Sequence, residues 1–224
     1  MQRLLDILLS GFALLVLSPL LLPIALALRL TGEGEVFYVQ QRVGRGGSQF
    51  SLYKFATMLK NSPNLGTGTV TVKHDPRILP LGRFLRKTKI NELPQLLNIL
   101  KGDMSIVGPR PQDKRCFDVF LPASQEAIKR VRPGLSGIGS IVFRDEENLL
   151  HGHTDTASFY DDVIAPYKGE LEEWYVANDS LRTYLACIVL TVWVVVFPKS
   201  TVVWRVFPAL PSPPATLTDA LGVP

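Results

Sequence analysis

Residues 7 to 28 carry no charged side chain and are bracketed by Arg3, Asp6 and Arg29. Twenty-two residues of straight helix reach about 33 Å, enough for the hydrocarbon core of a bilayer. A cleaved secretory signal fits poorly, because the run is too long and no small-residue cleavage site follows it. Ser18-Pro19 interrupts the middle of the run, and Pro23 follows one turn later. Pro19 lacks an N–H and its ring crowds the Leu15 carbonyl, which predicts a kink. The Ser18 hydroxyl is placed to satisfy the backbone group so released, which matters where no water is at hand. A kinked spanning helix and a re-entrant hairpin both fit. Almost every Lys and Arg follows residue 28, so that part is expected on the cytoplasmic side under either topology.

A chain of 224 residues suggests one domain with appendages. The net charge of +4 is mild, but its distribution is not. Residues 73 to 132 hold thirteen Lys/Arg against six Asp/Glu, whereas residues 145 to 179 hold ten Asp/Glu against Lys168. A basic block suits phosphate-rich partners, although two solvated faces of opposite sign would read the same way. Two cysteines, Cys116 and Cys187, argue against a disulfide framework, and no Cys/His spacing suggests zinc. His74, His151 and His153 are scattered, and no Walker A or Gly-x-Gly-x-x-Gly motif occurs.

The densest chemistry lies between Lys87 and Pro111. Leu93, Leu96, Leu97 and Leu100 recur at helical spacing, Asn91 sits where an N-cap belongs, and Pro94 falls in the first turn. Gly102 is a natural stop. Glu92 then lies at the positive end of a helix dipole. Prolines on both sides of Arg110 leave its guanidinium little entropy to lose, and a planar, permanently charged fork suits phosphate oxygens. A capped helix with an ordinary first-turn acid and a rigid turn would look the same.

Elsewhere, Val36–Val39 and Phe50–Phe55 are predicted strands around the turn Gly44-Arg45-Gly46-Gly47. Residues 59 to 75 are polar and Gly-rich and read as a mobile loop. Residues 76 to 90 mix apolar and basic side chains, Arg83 and Arg86 among them, as a helix in the membrane interface would. Asp161-Asp162 is a metal pair by spacing or a pair of exposed carboxylates. Tyr184 to Phe197 is uncharged over fourteen residues, short for a span, and fits the interface or a protein surface. Beyond Lys199 the Pro-rich chain is expected to be disordered.

Glu92-Leu93-Pro94-Gln95-Leu96, Lys101-Gly102-Asp103-Met104-Ser105 and Val107-Gly108-Pro109-Arg110-Pro111, in that order, resemble the signature of the bacterial sugar transferases. These are the monotopic phosphoglycosyl transferases that start polysaccharide and glycoconjugate assembly. Gln41, Arg42 and Gly44, then Lys54, Phe55, Thr57 and Met58, resemble two further family segments. So do Arg132-Pro133-Gly134-Leu135-Ser136-Gly137 and Tyr175-Val176-Ala177-Asn178. The similarity covers about residues 1 to 198. Two positions depart from the pattern. Asn91 replaces the aspartate that is the family's nucleophile, and Ala56 replaces an arginine expected near the phosphates.

The resemblance implies an α+β, predominantly helical fold with an N-terminal re-entrant membrane helix, interfacial amphipathic helices and a small β-hairpin. Residues 1–30 form the membrane element, broken at Ser18 and Pro19, 31–200 the catalytic domain, and 201–224 the tail. It further implies transfer of a sugar 1-phosphate from a nucleoside diphosphate sugar, UDP-linked, to polyprenyl (undecaprenyl) phosphate on the cytoplasmic face of the bacterial inner membrane. Mg²⁺ would be held by Glu92, with Arg110, Lys54, Arg86 and Arg132 on the substrate phosphates. Catalysis would fall to Glu92 and Asn91. Asn91 is a poor nucleophile, since its amide lone pair is delocalised, so three outcomes stay open: attack by Glu92, direct attack by the lipid phosphate, or an inactive chain. A membrane-bound pseudoenzyme or scaffold and a binder of anionic polymers are the alternatives from other classes. The expected partners are a UDP-sugar, polyprenyl phosphate and membrane lipids. No nucleic acid is expected, and a homodimer is compatible with the sequence.

Overall fold

The computed structural model describes residues 1–65, 75–150 and 155–223 and opens with helix α1 (Gln2–Leu30), unbroken through Ser18-Pro19 and Pro23. Helical structure thus continues past Ser18 and Pro19, where a break was expected. Its local reason is visible: Ser18 Oγ donates to the Leu15 carbonyl at 2.7 Å, the acceptor that Pro19 leaves without an N–H partner.

One folded body holds α1 along its whole length. Near the start, Arg3 donates to the carbonyls of Ile99 and Leu100 at 2.6 and 3.0 Å. Buried Asp6 accepts on one oxygen from Ser105 Oγ and the Ile106 N–H, both at 2.9 Å, and from Tyr184 Oη at 2.8 Å. Ala13, Leu14 and Leu17 pack on Leu52, Leu96 and Met104, and Leu21, Ile24 and Leu28 pack with Phe55 and Leu85. The opposite face, including Phe12, Leu15, Leu22 and Leu26, is exposed. An apolar stripe of that length is suited to lipid, and the chain is membrane-associated.

Strands β1 (Phe37–Val43) and β2 (Gln49–Phe55) form the expected antiparallel hairpin, with Phe37 opposite Phe55 and Val43 opposite Gln49. Helix α2 (Pro80–Lys87) buries Gly82 and Leu85 while Arg83, Phe84 and Lys87 face outward. A 3₁₀ turn, Ile90–Glu92, leads into α3 (Gln95–Lys101), which ends at Gly102 with φ of 97°. Asn91 is not the N-cap. It lies inside the turn, buried, and Pro94 occupies the position before α3 without a side-chain cap. The leucine face is also split, because Leu96 and Ile99 are buried whereas Leu97 and Leu100 are exposed. Asn98 fixes that rotation: its Oδ1 accepts from the Tyr53 N–H at 3.0 Å and its Nδ2 donates to the Ser51 carbonyl at 2.7 Å, along the edge of β2.

Next come β3 (Ser105–Val107), α4 (Lys114–Asp118), α5 (Pro122–Arg130) and β4 (Gly134–Ser136), with β4 parallel to β3. Gly108, Gly134 and Gly137 meet backbone to backbone, where a Cβ on any of them would overlap the next segment. Helices α6 (Ile138–Val142), α7 (Glu146–Leu150) and α8 (Thr156–Phe159) follow, then a π turn, Tyr160–Ile164, that runs into α9 (Ala165–Ala177). Helix α10 (Leu181–Val196) buries Tyr184, Cys187, Leu190 and Val194 and exposes Leu185, Val189 and Val192. This divided face agrees with the expected place at an interface or against protein.

The tail departs from expectation. Instead of being disordered, it forms α11 (Val202–Val206) and α12 (Ala215–Leu221). Val203, Trp204, Leu210 and Leu217 enter the largest core cluster beside Tyr167, Leu171 and Tyr184. The prolines punctuate this segment, but the apolar side chains between them decide where it goes. Residues 66–74 of the expected mobile loop, and with them His74, lie outside the described residues, as do His151 and His153. The fold is α+β and predominantly helical, with two two-stranded sheets among the described residues.

Candidate active site

Three segments converge on one carboxylate. The end of β2 brings Lys54, the 3₁₀ turn brings Glu92, and the Pro109-Arg110-Pro111 turn brings Arg110. Arg110 Nη2 donates to Glu92 Oε1 at 3.1 Å, and Lys54 Nζ stands 3.6 Å from the same oxygen. The Arg110 segment is fixed on its backbone side. The Gly134 N–H donates to the Pro109 carbonyl at 2.8 Å, and the Arg110 N–H donates to Glu172 Oε1 at 3.4 Å. Lys89, which opens the Glu92 turn, has φ of 60°, an uncommon value for a residue with a side chain, and such strain gathers at functional sites.

These placements set the charges. Burial disfavours the ionised Glu92 carboxyl, but Arg110, Lys54 and Lys89 outweigh it and hold the group well below the usual carboxylate range. Burial also pushes the Lys54 ammonium down to about 8, with Glu92 opposing the shift and Arg110, Arg42 and Arg86 adding to it. For Arg110 the neighbouring Glu92 dominates and raises the guanidinium pKa. The result is a carboxylate, a permanent cation and a cation that titrates near neutrality, all partly open to solvent.

Of the residues expected on the substrate phosphates, Lys54, Arg110 and Arg86 share this region. Arg86 acts on Lys54 electrostatically, and its Nη1 meets Met58 Sδ at 3.8 Å. Arg132 does not join them. Its Nε donates to the Gly102 carbonyl at 2.9 Å, and it lines a separate cleft with Arg45, Ser48 and Asp103 at the far end of the hairpin. Asn91 is buried, and its Oδ1 has no partner among the described residues. Ala56, the second departure from the family pattern, is buried and brings no charge. Asp161 pairs with Arg115 at 2.8 Å. Among the described residues no three His, Cys, Asp or Glu side chains group as a metal cage.

Sequence reasoning missed the wall behind Arg110. Lys168 and Glu172, one turn apart on α9, are both buried; Lys168 Nζ donates to Glu146 Oε2 at 2.7 Å. Arg42 pairs with Asp113 at 3.3 Å and reaches Lys54 and Arg110 with its field. The signal for α9 was legible: Tyr167, Leu171 and Tyr175 mark its apolar face, and Lys168 and Glu172 each follow one of them directly.

The chain is 37% identical over 182 residues to a protein of Aeromonas hydrophila named UDP-N-acetylgalactosamine-undecaprenyl-phosphate N-acetylgalactosaminephosphotransferase, covering 80% of this chain and 40% of that one. It is 34% identical over 215 residues to the undecaprenyl-phosphate galactose phosphotransferase of Salmonella typhimurium, covering 87% and 40%. It is 36% identical over 159 residues to the exopolysaccharide production protein ExoY of Sinorhizobium fredii, covering 65% and 70%. The chain thus spans less than half the length of the first two. Residues 1–198 match the family described as bacterial sugar transferase, a stretch that holds Lys54, Glu92 and Arg110 together. On that match, this chain belongs to the bacterial sugar transferase family.

Proposed function

We propose that this chain transfers a sugar 1-phosphate from a UDP-linked sugar to undecaprenyl phosphate, the first membrane step of a bacterial glycan. The observation that carries the reading is the single Glu92 oxygen shared by Arg110 and Lys54 at 3.1 and 3.6 Å. A diphosphate arriving there meets two cations partly desolvated and already aimed, which is how electrostatic preorganisation lowers a phosphoryl-transfer barrier. Relatives named as undecaprenyl-phosphate sugar phosphotransferases support the substrate classes.

The donor set fits magnesium of the kind held by one carboxylate and substrate phosphates. Among the described residues the side-chain hydrogen bond and ion pairs of Glu92 fall on Oε1, and the neighbouring Asn91 has a buried Oδ1 without a partner. Magnesium so held by Glu92 would neutralise charge on the donor diphosphate. Arg110 and Lys54 orient the phosphates, and the pinned backbone of Arg110 keeps that orientation. The Asn91 amide has no localised nitrogen lone pair for attack, and Glu92 is engaged on Oε1 by Arg110 and Lys54. The acceptor phosphate oxygen therefore attacks the sugar-bearing phosphorus directly. That bond forms as the bond to the bridging oxygen breaks, and UMP leaves with the electron pair.

The membrane reading follows from α1. Its two ends and its middle rest on the same body, so the helix enters and leaves lipid on one side, the cytoplasmic face of the inner membrane, with its apolar stripe in the near leaflet. The acceptor reaches Glu92 from that leaflet.

The test is radiolabel transfer from a panel of UDP-sugars labelled in the β-phosphate. Wild type is expected to label the lipid without labelling protein, and Glu92→Gln to lose about a hundredfold or more of the rate. Asn91→Asp is expected to label the protein when the lipid acceptor is left out. No lipid labelling by wild type with any sugar, with activity appearing in Asn91→Asp, would establish a pseudoenzyme instead.

A further inference from the structure

A second carboxylate stands on the backbone side of Arg110. Glu172 projects from α9 and is 3% exposed. Its Oε1 accepts from the Arg110 N–H at 3.4 Å, and its Oε2 has no partner among the described residues. It reaches this position because residue 139 is glycine, since a Cβ there would collide with Oε1. Burying a carboxylate with one unpaired oxygen is costly, and a residue needed only to fill space would be apolar.

We propose that Glu172 is a positioning residue whose carboxylate fixes the Arg110 backbone, and through it the guanidinium that meets the donor diphosphate. This rests on the transfer reading above for its ligand class, a nucleoside diphosphate. The Pro109-Arg110-Pro111 turn is stiff but narrow, and a hold on the one N–H between the prolines sets its tilt. An ionised carboxylate accepts that N–H more strongly than a neutral acid does.

The hold is pH-dependent. Burial raises the Glu172 carboxyl to about 7, opposed by the Arg110 N–H and by the charges of Lys168 and Arg110. Among the described residues the other titratable groups that act on it are Tyr175 on α9 and Cys187 on α10, and burial pushes both upward, so they stay neutral near pH 7. The segment of α6 that packs here, Ile138–Val142, contains no titratable residue. As pH rises through about 7, Glu172 ionises and tightens its grip on Arg110.

Steady-state kinetics of the full chain in lipid nanodiscs, from pH 5.5 to 8.5, decide the matter. For wild type the donor KM is expected to fall as pH rises through 7. Glu172→Gln keeps an acceptor oxygen and is expected to hold KM within about threefold of wild type at neutral pH while losing that pH step. Glu172→Leu is expected to raise donor KM about tenfold with kcat nearly unchanged. Equal losses in the Leu and Gln variants, or a pH step that survives in Glu172→Gln, would overturn the proposal. Should Glu172→Leu not fold, the Gln profile decides alone. Calorimetric binding of UDP reads the same hold without turnover. If wild type transfers nothing, yet UDP binding weakens in the Leu variant and is restored by Gln, positioning stands and the transfer reading falls; UDP binding equal in all three overturns the positioning itself.

Discussion

Lys54 is the side chain at which the conflict between burial and charge is most finely balanced. Water is largely excluded, three arginines crowd it, and Glu92 alone offsets them, leaving an ammonium that gives up its proton near 8. Because the folded pKa lies below the ordinary lysine value, the charge is complete at acidic pH and is lost as pH rises through about 8. Replacing Glu92 with Gln removes the group that favours the charge, so the Lys54 midpoint is expected to fall further. NMR of ¹³C-methylated lysines across pH 6–10 reads this directly, and a midpoint that stays near 8 in the variant would show that the two side chains do not communicate. A strand lysine by itself says nothing in sequence, since its titration depends on Arg42, Arg86, Glu92 and Arg110, which meet only after folding. Asn91 illustrates the opposite error. Its composition and spacing fit a cap, but the left-handed Lys89 closes a 3₁₀ turn first and directs the amide inward.

Among the elements, those with strong local rules were legible. The hairpin followed from β-prone segments on either side of a Gly-rich turn, and Gly102 stops α3 with the positive φ that its type permits. The rotation of α3 was hidden, because Asn98 reaches β2, more than forty residues away in the chain. The anchoring of α1 was hidden for the same reason. Asp6 looks like the flank of an apolar run, yet it accepts three hydrogen bonds on one buried oxygen. Asp6→Ala would strand the Ser105 hydroxyl, the Ile106 N–H and the Tyr184 hydroxyl, costing about 3 kcal/mol, whereas Tyr184→Phe would cost about 1 kcal/mol. Thermal unfolding of the two variants in one detergent checks the ratio, and equal melting temperatures would contradict the clamp.

At the scale of the molecule, the tail belongs to the core. Trp204 and Leu217 are buried in the α9–α10 cluster, and the Tyr167 hydroxyl donates to the Pro211 carbonyl at 2.9 Å. Each such side chain contributes about 1.5–3 kcal/mol by burial, so removing residues 201–224 is expected to lower the melting temperature markedly; an unchanged melt would refute that role. Proline content obscured this in sequence, because composition reports flexibility while a handful of apolar residues fixes the docking. The Asp6 clamp has a mechanical side as well. It joins α1 to Ser105 and Ile106, at the head of β3, from which the chain continues through Gly108 to Arg110. A shift of the lipid-facing helix, driven by bilayer thickness or lateral pressure, is thus transmitted within five residues to the guanidinium, which makes the surrounding fats part of the tuning of this protein.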